Sequence, residues 1–512
     1  MNGLFISQSG SLEMFYGLSQ AMNDSLHLNK MGLLVSHRRN FSDFQKANPD
    51  NLLKKYTLFK EWEVTNNFKS ETLDYNLLND YEKQLGVSTL WEALIADRRL
   101  TLGRKTSYFQ DYNPRYSHED LLKILQTGLQ HTEQLFDAIK PDFVVSFICV
   151  TMLEYLCYLF AQSRNIPFLN IRTARLENYM VYGNNVTDPS ERIVNKYHDL
   201  SRNSISPQLL EQSTDIYKKI KSGSGKYEGL TIQNPNVYKK WTFFLKNFNI
   251  VKIVKIMVTE YQIKFGKYKD NHDPGIIIPT IFERIYKPLL KKSINLKLKK
   301  QYVPTSDLNK YTYAFFPLHL EPERVLLISA RYYLNQIEVV RNIAQSLPAG
   351  MTLIVKDHPK GFGRRPYSFY DKLLKIPNVK LIRPDVNSEV IIENAKLITT
   401  IAGTVGWEAI IKEKPVIIFG PTIYDFLPSS MVRKITDINK TSQIIQELLE
   451  TYKFNEASII QMIASSVSES IPINFYSTLL SRKNVVNIDS IQDDWDQEIR
   501  RLAKYTIKSL QV

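Results

Sequence analysis

Four consecutive residues, Lys356, Asp357, His358 and Pro359, follow directly on an apolar β-branched run ending at Val355. Proline stops a strand and fixes the local turn, so the imidazole of His358 is held at a strand end. There it can donate to a phosphate oxygen or to a base or sugar hydroxyl. Lys356 adds a fixed positive charge beside it. Gly361, Phe362, Gly363, Arg364 and Arg365 come next, a context that an ordinary structural histidine does not explain.

A second stretch, Thr399 to Glu408 (TTIAGTVGWE), runs from a strand into a small-residue turn at Gly403, Thr404, Val405 and Gly406. A helix is expected to open at Trp407 with Glu408 in its first turn. Backbone N–H groups at such a start bind phosphate, glycines permit close approach, and Glu408 could accept from ribose hydroxyls, although plain capping uses the same residues. Ser388 is expected to cap a helix from Glu389 to Ala395 and to offer its hydroxyl to the same anion. A third constellation is His319 with Glu321 and Glu323. His319 and Glu323 together could deprotonate a hydroxyl, and a surface ion pair is the alternative. No Asp or His cluster has metal-ligand spacing, so phosphate has to be held by basic side chains and helix termini, with no metal or cofactor required.

The elements that must position these groups follow a parallel-sheet rhythm: short strands at Leu353–Val355, Val379–Ile382, Leu397–Thr400 and Val416–Phe419 alternate with helix-length segments. Ligands in such sheets sit beyond the carboxyl ends of the strands. The amino-terminal half repeats the pattern, with strands at Gly3–Ile6, Met31–Ser36, Pro141–Phe147 and Ile166–Ile171 and helices at Leu12–Met22, Leu121–Ile139 and Thr151–Arg164. Glu154 lies in the first turn after a strand end, and Arg172 and Arg175 follow the next strand. Glu13 and Asp97 are further candidate carboxylates on position alone, Asp97 with Arg98 and Arg99 also reading as an exposed charge cluster.

At 512 residues the chain needs at least two domains. The boundaries expected are an amino-terminal Rossmann-like domain over 1–187, a basic helical insertion over 188–309, a carboxyl-terminal domain over 310–475, and helices over 476–512 that cross back to the first domain. Cys149 and Cys157 both sit in apolar sequence and read as a buried reduced pair. Neither a secretory leader nor a run of about 20 apolar residues is found, so a cytoplasmic protein is expected. From Lys218 to Lys300 there are 19 Lys and Arg against 5 Asp and Glu, an excess equal to the +14 of the whole chain. The lysines alternate with Trp, Phe, Ile and Val, which fits peripheral contact with the inner face of an anionic membrane; a helix packed on its own domain is the alternative. Nucleic acid is not expected as a partner, because no binding motif accompanies the charge.

LHLEPE at Leu318–Glu323, VKDHPKGFGRRPYSFY at Val355–Tyr370, NSEVI at Asn387–Ile391 and TTIAGTVGWEAIIKEKPVIIFG at Thr399–Gly420 resemble the capsule polysaccharide biosynthesis family, related to bacterial capsule Kdo transferases. The resemblance is strong over the last third of the chain. It implies an α/β fold of the GT-B type, with two Rossmann-like domains facing a cleft. It also implies a metal-independent glycosyltransferase that uses a nucleotide-sugar, CMP-Kdo or a CMP-sialic-acid-like donor being favoured, and a polysaccharide or glycolipid acceptor. His358 and Pro359 are implied to contact the nucleotide, and Ser388, Gly403 and Thr404 its phosphate. No motif carries a catalytic acid onto the first domain, so Glu154, Glu13 and Asp97 stay candidates. The same architecture also serves nucleotide-sugar epimerases, and a non-catalytic assembly protein at the membrane is the remaining alternative.

Overall fold

The computed structural model describes residues 1–8, 10–49, 52–101, 115–229, 250–273, 275–483, 485–486 and 494–510. Two sheets organise them.

In the first sheet β1 (Asn2–Ser7), β2 (Lys30–Val35), β3 (Tyr56–Lys60), β4 (Phe143–Phe147) and β5 (Phe168–Thr173) run parallel. β6 (Tyr179–Gly183) is antiparallel to β5, and the two-residue β13 (Ile471–Pro472) is antiparallel to β6. The strand order is β13-β6-β5-β4-β1-β2-β3. β3, β6 and β13 are not evident in the sequence; β3 lies in a polar, aromatic stretch that reads as helical. The helix His118–Ile139 starts at a capping box, Ser117 accepting from the Asp120 N–H and Asp120 from the Ser117 N–H.

The second sheet is wholly parallel: β7 (Thr312–Pro317), β8 (Met351–Lys356), β9 (Val379–Ile382), β10 (Leu397–Thr400), β11 (Val416–Ile418) and β12 (Val432–Lys434). Its order is β12-β11-β10-β7-β8-β9. The central strands are buried on both faces, which is why they read as continuous apolar runs rather than alternating ones. Val325–Ser329, which the sequence leaves between strand and loop, is a π-helical turn.

The final helix, Trp495–Leu510, packs on the first domain. A Cβ on Gly17 would collide with the Trp495 ring, and the Tyr182 hydroxyl meets Thr506 Oγ1 at 2.7 Å. The helix Glu456–Glu469 meets the segment after β6, Gln461 donating to Tyr197 O at 2.7 Å. From the other side, the loop after β7 reaches the first domain: Arg324 donates to Val186 O and Arg331 pairs with Glu92. Both cysteines are buried and unpaired. Of the basic amphipathic stretch expected over 239–269, the part over 239–249 lies outside the described residues.

Candidate functional site

In the second sheet the chain runs from β7 outward to β8 and β9, then returns to the other side of β7 as β10, so the topological switch point lies between β7 and β10. Ligands in doubly wound sheets settle in the crevice beyond that point. His319 follows β7, and Ala402 and Gly403 follow β10. They meet there: the Ala402 N–H donates to His319 Nε2 at 3.3 Å, and the same nitrogen is 3.4 Å from Thr400 Oγ1. The lone pair of His319 is thereby used, and burial followed by the Arg365 charge pushes its pKa down to about 3. Its ring is a neutral strut, not the base that pairing it with Glu323 suggests.

His358, at the adjacent end of β8, differs. It is half-buried, its backbone N–H donates to Asp357 Oδ1 at 2.7 Å, and its Nδ1 accepts from the Lys360 N–H at 3.1 Å. Burial lowers its pKa, so the ring is neutral with its proton on Nε2, a donor pointing away from these anchors. Lys356 is buried and donates to Val386 O at 2.8 Å; burial lowers its pKa, opposed first by Glu408. β8 ends at Lys356, three residues before Pro359.

The helix after β10 begins at Thr404, three residues before the expected start, with Gly403 as its extended cap. Thr404 and Val405 thus supply the open N–H groups, and Glu408 moves into the second turn. Gly406 is required by Tyr424: a Cβ there would collide with the Tyr424 hydroxyl, which donates to Gly403 O at 2.6 Å. Surrounding protein, then the Glu389 carboxylate, push Glu408 up to about 7, against Lys356 and Lys412. Its side chain is nevertheless open to solvent, as a residue on a cleft wall is both enclosed and wet. Ser388 is corrected from cap to first helical residue, because Asn387 caps Ser388–Asn394 by accepting from Glu389 N at 3.1 Å.

Behind the two histidines runs a buried polar network. Gln336 accepts from the His319 N–H at 2.7 Å and donates to His319 O and Glu321. Arg365, 1% exposed, pairs with both Glu321 and Asp357 and donates to His319 O; Tyr370 donates to Asp357 Oδ2. The arginine that reads as a trailing charge is the element that fixes both strand ends.

The first domain contributes Arg175, in the loop between β5 and β6 with φ +58. Its charge acts on His319, Glu323, Tyr227 and Tyr424, and its Nη2 is 4.0 Å from Asp188. Glu323 is half-buried; burial raises its pKa, opposed by Arg175 and Arg324. Sequence reasoning does not assign Arg175, Tyr227 and Tyr424 to this site, since nothing in their spacing links them to it.

The remaining candidates lie elsewhere. Glu154 is fully buried at the switch point of the first sheet, held by Gln8 and, at 3.3 Å, by the Val150 N–H. Burial drives its carboxyl well above the usual carboxylate range. Glu13 is exposed on the first helix. Asp97, expected on the surface, is fully buried: burial would raise its pKa, but Arg99, 2.7 Å away, holds it below the usual range.

Residues 240–464 match the family model described as capsule polysaccharide biosynthesis protein. The match covers somewhat less than half of the chain. No curated protein matches the chain in sequence. Among solved structures it is similar to the Thermosulfurimonas dismutans KpsC β-Kdo 2,4 transferase, at 13% identity over 66% of this chain and 87% of that one, with TM-score 0.35. It is also similar to UDP-GlcNAc 2-epimerase from Neisseria meningitidis bound to UDP-GlcNAc, at 13% identity over 100% of both chains, with TM-score 0.27. At these values neither likeness carries a role onto any residue here.

Proposed function

We propose that this chain is a glycosyltransferase that binds a nucleotide-sugar in the second domain and transfers the sugar to a glycan or glycolipid acceptor lying against the first. The reading is supported by the placement of His358 after β8 and of the helix start at Thr404 and Val405, with Glu408, after β10, the two strands that flank β7 in the parallel sheet. One imidazole donor and one helix start suit one phosphate, which favours a CMP-sugar over a nucleoside diphosphate sugar. Negative charge on the departing phosphate is stabilised by these fixed donors, with no metal required. Glu323 takes the acceptor proton, and Arg175 faces it from the other side of the cleft.

A thermal-shift screen of the full chain against CMP, CDP, UDP and GDP tests this, because a ligand that binds only the folded state raises Tm. CMP is expected to give the largest rise, and His358→Ala to remove it while the unliganded Tm stays put. The loss of one strong hydrogen bond corresponds to roughly 10–100-fold weaker binding. No shift with any nucleotide would defeat the proposal. Product formed from donor alone, without acceptor, would instead favour an epimerase.

The basic region supports a second part of the reading, peripheral contact with an anionic membrane. Among the described residues no helix is long and apolar enough to cross one. The helix Ile250–Lys264 and the residue after it carry Val251, Val254, Val258, Tyr261 and Phe265 at helical spacing, all exposed, Val251 by 74% and Phe265 by 73%. Its neighbour, running from Ile277 through a π turn to Leu298, exposes Ile281, Ile285 and Leu289. Lysines flank both stripes, the arrangement of helices that lie in a headgroup layer. Co-sedimentation with vesicles containing phosphatidylglycerol, absent with phosphatidylcholine alone and weakened by Val258→Glu with Phe265→Glu, is the expected result. Equal partitioning to both vesicle types would remove this part.

A further inference from the structure

We propose that Glu61, Asp97 and His272 bind a divalent transition cation that staples the loop 269–273 of the basic insertion to the first domain. The three residues are far apart in sequence, which is why no metal-ligand spacing is visible there. The fold brings one ligand atom from each within 4.8 Å of the others, and all three side chains are buried. Atoms that share one ion at about 2.0–2.3 Å have to lie about that close together.

The cluster is more than a gathering of acids. His272 is 2% exposed, yet neither of its ring nitrogens has a hydrogen-bond partner among the described residues; Nδ1 is 3.8 Å from Glu61 Oε1. Glu61 Oε2 and Asp270 Oδ2 are likewise buried and unpartnered. Buried polar atoms are otherwise almost always satisfied, so four such atoms in one cluster point to a missing partner. Arg99 uses Glu61 Oε1 at 2.6 Å and Asp97 Oδ2 at 2.7 Å, which leaves Glu61 Oε2 free. A mixed set of one imidazole and two carboxylates suits Zn²⁺ or Mn²⁺ better than the all-oxygen shell that Ca²⁺ or Mg²⁺ takes.

The position gives the ion a task. Glu61 directly follows β3, and Asp97 caps the carboxyl end of the first-domain helix Trp91–Ala96; His272 alone comes from the insertion. The loop around His272 is already laid against the first domain: Asn271 donates through its backbone to Asn66 Oδ1 at 3.1 Å and through its side chain to Thr65 O at 2.8 Å, and Asn66 donates to Lys269 O at 3.1 Å. An ion at this point would set how firmly the two exposed basic helices are carried by the domain below them.

The test uses the full chain, stripped with a chelator and desalted, then titrated separately with Zn²⁺, Mn²⁺ and Co²⁺. Expected are about one retained equivalent per chain by elemental analysis, a rise in Tm, visible absorption bands from bound Co²⁺, and slower proteolysis between residues 265 and 300. His272→Gln is expected to abolish retention and the Co²⁺ bands with the metal-free Tm unchanged; if that variant does not fold, the wild-type titrations decide alone. No retention and no Tm rise with any of the three ions would overturn the proposal, leaving water or a dry ionic network as the occupant. Undiminished retention by folded His272→Gln would overturn it as well.

Discussion

Glutamine at Glu323 is expected to lower kcat by about 10²–10⁴-fold while nucleotide affinity stays within about twofold, because it removes a proton acceptor without touching the donor site. Glu323 is the carboxylate whose environment fits that work. It is half-buried at the end of the loop after β7, burial raises its pKa, and the opposing charges are Arg175 from the first domain and its neighbour Arg324. His319 cannot share the task, since its Nε2 is occupied by the Ala402 N–H and its pKa is pushed down to about 3. The pH dependence has a definite sign. A base works when ionised, so the rate rises as pH passes upward through the raised pKa of Glu323, and the glutamine variant loses that limb. Stability runs the other way: a carboxyl raised in the folded state contributes stability that is complete below its unfolded pKa and is lost as pH climbs through the folded one. Exposure keeps this second effect small. A Glu323→Gln variant with wild-type kcat would end the assignment, and the same loss appearing in Glu154→Gln instead would move it to the buried carboxyl of the first domain.

What can be read from sequence is decided by sequence distance. The strand ends at Lys356–Pro359 and Thr399–Gly406 are legible because each combines a buried apolar run with residues that stop or turn it within a few positions. The sequence places the helix after β10 three residues late because Thr404 and Val405 are weak helix formers, and the cap lies in the backbone of Gly403 rather than in a side chain. β3 escapes notice since Tyr56–Lys60 is an edge strand with mostly half-buried residues and no clean alternation. Arg175 and Tyr424 join the site only through the packing of elements that no local pattern links. Asp97 shows the same limit from the opposite side: DRR reads as surface charge, whereas Arg99 folds back onto Asp97 and Glu61, and both carboxylates are enclosed.

Arg365→Met is the structural counterpart, expected to cost about 3–5 kcal/mol and to lower Tm by roughly 6–20 °C. Methionine fills much of the volume, so the cost is electrostatic. It leaves Glu321 and Asp357 buried without the cation that both of them face, and takes from His319 O one of its two donors, leaving it the Gln336 amide alone. Removing one partner of a buried pair is far more damaging than never having built the pair, because the remaining charge keeps its full desolvation cost. Tyr370→Phe provides the calibration: it deletes only the hydroxyl bond to Asp357 and is expected to cost about 1 kcal/mol. The two variants also separate stability from function. Asp357 Oδ1 accepts both from Arg365 and from the His358 N–H, so releasing it frees the turn that aims His358 Nε2. At a temperature where Arg365→Met is still folded, its nucleotide-induced Tm rise should therefore shrink along with the unliganded Tm, whereas Tyr370→Phe keeps the rise. A broken buried ion pair should lower Tm several times more than about 2 °C, so an Arg365→Met protein melting within that margin of the parent would mean that the network does not hold the site together.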